Sequence, residues 1–74
     1  MAKQLITADP EILCGKPVIS GTRIPVYLIL ELLEAGKSIK QIIDDYPELT
    51  EEEVKAAIHY AEAILKREEL VFSA

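Results

Sequence analysis

The sequence predicts a mostly α domain, a three-helix helix-turn-helix bundle behind a short extended or β-hairpin N-terminal segment. Three observations lead there. Apolar residues recur at helical spacing in three stretches, and capping or breaking residues bound each stretch. The residues ahead of them are rich in β-branched side chains and interrupted by glycine and proline.

Residues of about 5–24 form the extended segment. Val18-Ile19 and Thr22-Arg23-Ile24 flank Ser20-Gly21, a spacing compatible with a tight hairpin. Pro10, Pro17 and Pro25 confine any strand here to a short or edge position, because proline brings no amide hydrogen to a ladder. The first helix is expected over about 25–35. Pro25 suits its first position, Val26, Ile29, Leu30 and Leu33 form one face, and Gly36 ends it. Ser38 is a natural N-cap for a second helix over about 38–46, with Ile39, Ile42, Ile43 and Tyr46 on its apolar side and Pro47 as its stop. Thr50 and Glu53 make a capping box for a third helix over about 50–69. Its stripe is Val54, Ala57, Ile58, Ala61, Ile64 and Leu65. The short break at Pro47-Glu48-Leu49 gives the last two helices helix-turn-helix spacing.

Seventy-four residues make one domain, 1–74. A chain this short buries only about 60–65% of its unfolded surface, so its core needs support. Cys14 is the only cysteine and His59 the only histidine, which excludes a disulfide and a Cys/His metal cluster. Helix packing and self-association remain, and a 50% hydrophobic composition favours a homodimer, with Leu70-Val71-Phe72 available to pack in it. Leu5-Ile6 is too short an apolar run for an export signal. Ile24–Leu30, the longest uncharged apolar stretch, falls short of the roughly 20 residues of a membrane span. A cytoplasmic protein without membrane contact is expected.

The search for chemistry yields little. His59 lies beside the apolar stripe of the third helix and reads as an ordinary, partly exposed residue. Cys14 has no histidine or cationic cluster near it beyond Lys16 and reads as a small, half-buried hydrophobe. Asp44, Asp45, Glu48, Glu51, Glu52 and Glu53 straddle a helix end, a proline and a helix start, without the glycine-turned spacing of a calcium loop. No glycine-rich phosphate loop occurs. The expectation is a non-enzymatic domain with no cofactor and no metal.

Charge bears on nucleic acid. Residues 1–43 carry five basic side chains (Lys3, Lys16, Arg23, Lys37, Lys40) against four acids, whereas residues 44–74 carry nine acids against Lys55, Lys66 and Arg67. In a helix-turn-helix reader the start of the second helix of the pair enters the major groove. Here that start is Thr50-Glu51-Glu52-Glu53, and carboxylates repel phosphates. Any DNA or partner contact therefore falls to Lys16, Arg23, Lys37 and Lys40. For Arg23 two readings stand: an ion pair with an internal acid such as Glu31 or Asp45, or a forked contact to an external phosphate or carboxylate.

The run Ile12-Leu13-Cys14-Gly15-Lys16-Pro17-Val18-Ile19-Ser20-Gly21-Thr22-Arg23-Ile24-Pro25-Val26 resembles the hallmark of the bacterial family known as domain of unknown function 433. Gly36, Tyr46-Pro47 and Leu49-Thr50 follow in that family's order, so the likeness spans about residues 5–65. The resemblance implies a homeodomain-like helix-turn-helix fold and a VapB-like antitoxin role. On that expectation the protein silences a PIN-like ribonuclease toxin encoded nearby, and the pair binds operator DNA. The alternative is a homodimeric interaction module that does not touch DNA. The signature Gly15, Lys16, Pro17, Gly21, Thr22, Arg23 and Pro25 is carried over as important. Only a short stretch, about Leu70 to Ala74, follows the third helix, so any inhibition would use the folded surface or Leu70-Val71-Phe72 rather than a long wrapping tail.

Overall fold

The computed structural model describes residues 4–67. Its elements, in order, are β1 (Ile6–Thr7), a 3₁₀ turn (Leu13–Gly15), β2 (Val18–Ile19), α1 (Val26–Glu34), α2 (Ile39–Asp45) and α3 (Glu51–Arg67). The mostly helical expectation and the three helices hold, each helix one residue shorter at its start than expected. The predicted end of the third helix at residue 69, and the Leu70-Val71-Phe72 run, lie outside the described residues.

The helix ends form where local chemistry favours them. α1 closes with Gly36 at φ 96°, its amide donating to Leu33 O at 3.0 Å and that of Lys37 to Leu32 O at 3.1 Å. This is a Schellman closure, and it needs the left-handed conformation that glycine adopts without Cβ strain. Ser38 caps α2 as expected, and Gln41 completes a reciprocal box that the sequence reading missed. The Thr50–Glu53 box forms as expected: the Glu53 amide donates to Thr50 Oγ1 at 3.2 Å, and the Thr50 amide to Glu53 Oε1 at 2.9 Å. Glu51, Glu52 and Glu53 occupy the first turn of α3, and Lys66 and Arg67 its last, signs that complement the helix dipole.

The N-terminal segment does form a short two-stranded antiparallel sheet, but with other strand partners than expected. β2 pairs antiparallel with β1, Ile6 opposite Ile19 and Thr7 opposite Val18, rather than mainly with residues 22–24. Its other side carries a single bridge, Val18 opposite Pro25, flanked by bonds from the Ile19 amide to Ile24 O (2.9 Å) and from the Val26 amide to Pro17 O (2.9 Å). Pro25 thus sits at a position that calls for no amide hydrogen. It is also the N-cap of α1, not its first helical residue. Residues 9–15 do not form a strand but turn. The Asp9 side chain accepts from the Glu11 amide at 2.9 Å, and Leu13, Cys14 and Gly15 turn with φ of 51°, 58° and 87°. Left-handed backbone at two successive residues bearing Cβ atoms is costly, about 1–2 kcal/mol each. Cys14 is exposed there, not half-buried.

Ile19, Ile24, Val26, Ile29, Ile42, Leu49, Val54 and Ala57 make one buried cluster in which β2 and all three helices meet. No polar or charged residue among those described is buried. No described helix is long and apolar enough to cross a membrane.

Candidate functional site

Two surfaces emerge from this frame. The first is the signature loop between β2 and α1. Gly21 has φ 81°, turning the chain at Ser20–Arg23. The Thr22 hydroxyl donates to Ile19 O at 2.8 Å and accepts from the Ile24 amide at 3.0 Å, so one side chain clamps the backbone on both sides of Arg23. Ser20 ties the same turn to the start of β1 through its hydroxyl, which donates to Gln4 O at 2.9 Å. Arg23 stands exposed on this clamped turn. Among the described residues it has no ion-pair partner, and Asp45 is engaged by Lys37 Nζ at 2.7 Å. The internal pairing of Arg23 with Glu31 or Asp45 is therefore not formed.

The other candidate cations do not gather around Arg23. Lys37 is held by Asp45, whose hydrogen bond and charge raise the ammonium's pKa above the usual lysine value. Lys40 borders a shallow hollow with Asp44 and Glu51, floored by Ile39 and Ile43. Lys16 leaves the signature segment to border a groove between α1 and α3. Lys37 and Lys40 thus stand beside carboxylates around α2, and Lys16 stands on the α1–α3 groove.

That groove, of about 350 Å³, is the second surface. Pro17, Tyr27, Leu30, Tyr60, Ala61 and Leu65 line it, and a neighbouring hollow shares Leu30, Ala61 and Leu65 and adds Ile58, Glu62 and Lys66. Leu30 and Leu65 belong to the stripes that helical spacing assigns to a core, yet they are 36% and 63% exposed, and Tyr27 is 48% exposed. Periodicity identified the stripes, but their outer edges meet no other described element. Lys16, Pro17, Tyr27 and Leu65 come together only through the fold, which no local signal reports.

No described group of three or more His, Cys, Asp or Glu residues is arranged to hold a metal ion. His59 is exposed on α3, with Nδ1 3.6 Å from Glu62 Oε1.

Comparison with known proteins places the chain. Residues 6–61 match the family model described as "Protein of unknown function (DUF433)". The uncharacterized protein y4eO of Sinorhizobium fredii (strain NBRC 101917 / NGR234) is 40% identical over 62 residues, which are 84% of this chain and 28% of that protein. The chain therefore spans little more than a quarter of that curated relative. The crystal structure of a DUF433 member from Anabaena variabilis ATCC 29413 superposes with a TM-score of 0.81 at 32% identity, over 88% of this chain and 64% of that one. Fold, family match and signature segment agree, and the chain belongs to the DUF433 family.

Proposed function

We propose that this domain is an antitoxin-like regulatory protein that recognises a protein partner, a PIN-like ribonuclease encoded nearby, and silences it. The observation that carries the reading is Arg23, exposed on a turn clamped by Thr22 and without an internal ion-pair partner among the described residues. The clamp fixes the backbone that presents Arg23, and its planar guanidinium can fork onto a carboxylate of a partner. Magnesium and catalytic acids would belong to the nuclease, and this chain would act by binding alone. On this reading α2 and α3 form a homeodomain-like helix-turn-helix pair that does not read DNA bases by itself. Glu51 and Glu52 are exposed at the start of α3, where such a pair would meet phosphates. Contact with operator DNA, where it occurs, comes with the partner's help.

Co-expression with the product of the adjacent gene tests this. A stable complex with suppressed nuclease activity is expected, and Arg23→Ala is expected to weaken it at least tenfold with unchanged helicity by circular dichroism. Absence of a complex overturns the reading. A gel shift on DNA from upstream of the gene should require both proteins; a specific shift by this chain alone would contradict the assignment of α3.

A further inference from the structure

We infer that the α1–α3 face is a two-fold interface at which a second copy of this chain packs antiparallel. The inference does not rest on the nuclease reading and concerns the isolated chain.

The apolar centre of the face is Tyr27, Leu30, Ala61 and Leu65, which share grooves and include three of the four large hydrophobic side chains exposed among the described residues. Contiguous apolar surface of this kind marks an association site, and a domain this small gains most by covering it. The charges around the centre identify the occupant. At the end where Tyr27 opens α1, the rim carries Lys16, whereas in the adjoining hollow Lys66 is matched by Glu62, 3.9 Å away. Along the same side of α1, Glu31 and Glu34 follow Tyr27 by about one and two turns and are exposed. Lys16 and Glu34 thus stand at opposite ends of an apolar middle, and the Lys66–Glu62 pair balances itself.

A two-fold axis near Leu30 maps each end onto the other. Tyr27 and Glu34 lie on either side of Leu30 at nearly equal spacing, so the axis brings Lys16 of one copy toward Glu34 of the second. The polar rim then fixes register while Leu30 and Leu65 close over the second copy's groove. A partner of uniform charge would satisfy only one end. The acidic first turn of α3 and the Arg23 turn contribute no residue to this face, so a dimer leaves both accessible.

Sedimentation equilibrium on the full chain across micromolar to several hundred micromolar tests the assignment. A reversible dimer is expected, weakened at least tenfold by Leu65→Glu or Leu30→Glu, both at positions exposed enough for the folded monomer to tolerate the change. Lys16→Glu and Glu34→Lys are each expected to weaken the dimer severalfold, and the double exchange to recover most of the loss. A folded chain that stays monomeric throughout overturns the inference and leaves the face to an unlike partner. A dimer indifferent to both leucine substitutions also overturns it, because association then uses another surface. Loss of dimer in both charge variants without recovery in the double variant rejects the antiparallel register. Failure to capture a nuclease would leave these outcomes unchanged, so the two readings fail separately.

Discussion

The two ends of α3 solve different problems with one helix. Its first turn is Glu51, Glu52 and Glu53, with Glu53 spent on the cap at Thr50 and the dipole favouring all three charges. Its last turns carry Ile64 and Leu65 beside Tyr27 and Pro17, an apolar surface that nothing else in the described chain covers. The acidic end is complete as it stands, its charges explained by the backbone they stabilise. Among the described residues the apolar end is left open, because helical periodicity placed more aliphatic surface there than the three described helices and the two-stranded sheet enclose. Density of charge is thus a poor guide to function in this domain, and an unfinished core edge is a better one.

The contrast can be broken most forcefully within α1, where Ile29 is fully buried and its neighbour Leu30 is 36% exposed. Ile29→Ala is expected to cost about 2–5 kcal/mol in urea unfolding, through lost burial and the cavity left behind. Leu30→Ala, measured where the chain is monomeric, should cost well under half of that. Equal costs would mean that the groove is part of the core. At the acidic end, Thr50→Ala should cost about 1 kcal/mol by removing the side-chain acceptor for the Glu53 amide. A loss near zero would show that the three glutamates hold the helix start without the cap. The smallest effect belongs to the exposed Lys37–Asp45 pair. Because the folded-state pKa of Lys37 is raised from 10.5, its contribution is fully present below that value and is lost as pH rises through the raised one. Asp45→Asn should leave the unfolding midpoint almost unmoved near neutral pH, and whatever difference from the parent exists there should vanish in strong alkali as Lys37 loses its proton.

Much of this was legible because helix ends are written locally. Gly36, Ser38 and the Thr50–Glu53 box act within a few residues of themselves, so spacing sufficed to locate them. Gln41 could have been found by the same rule, lying three residues beyond the Ser38 cap. The N-terminal segment was less legible. The pairing of Ile6–Thr7 with Val18–Ile19 spans a loop whose course depends on a left-handed turn at Leu13 and Cys14, and residues with Cβ atoms give no advance signal for such a turn. For the candidate sites, Arg23 could be singled out by type and position, but whether it met Glu31, Asp45 or solvent was a tertiary matter. The exposure of Leu30 and Leu65 was hidden for a related reason. Periodicity reports the direction of an apolar stripe, whereas burial depends on how much of that stripe the crossing helices cover.

Pro25 has a consequence that reaches beyond its own bond geometry. It is at once the bridge partner of Val18 and the cap of α1, and the next amide, Val26, is bound by Pro17 rather than left to water. Fraying, the usual low-energy motion of a helix start, is therefore denied to α1 unless the strand seam parts with it. Sheet and first helix become one cooperative unit of opening. The Arg23 turn, stretched between the two halves of that seam, inherits the protection of the core even though its side chain stands in solvent.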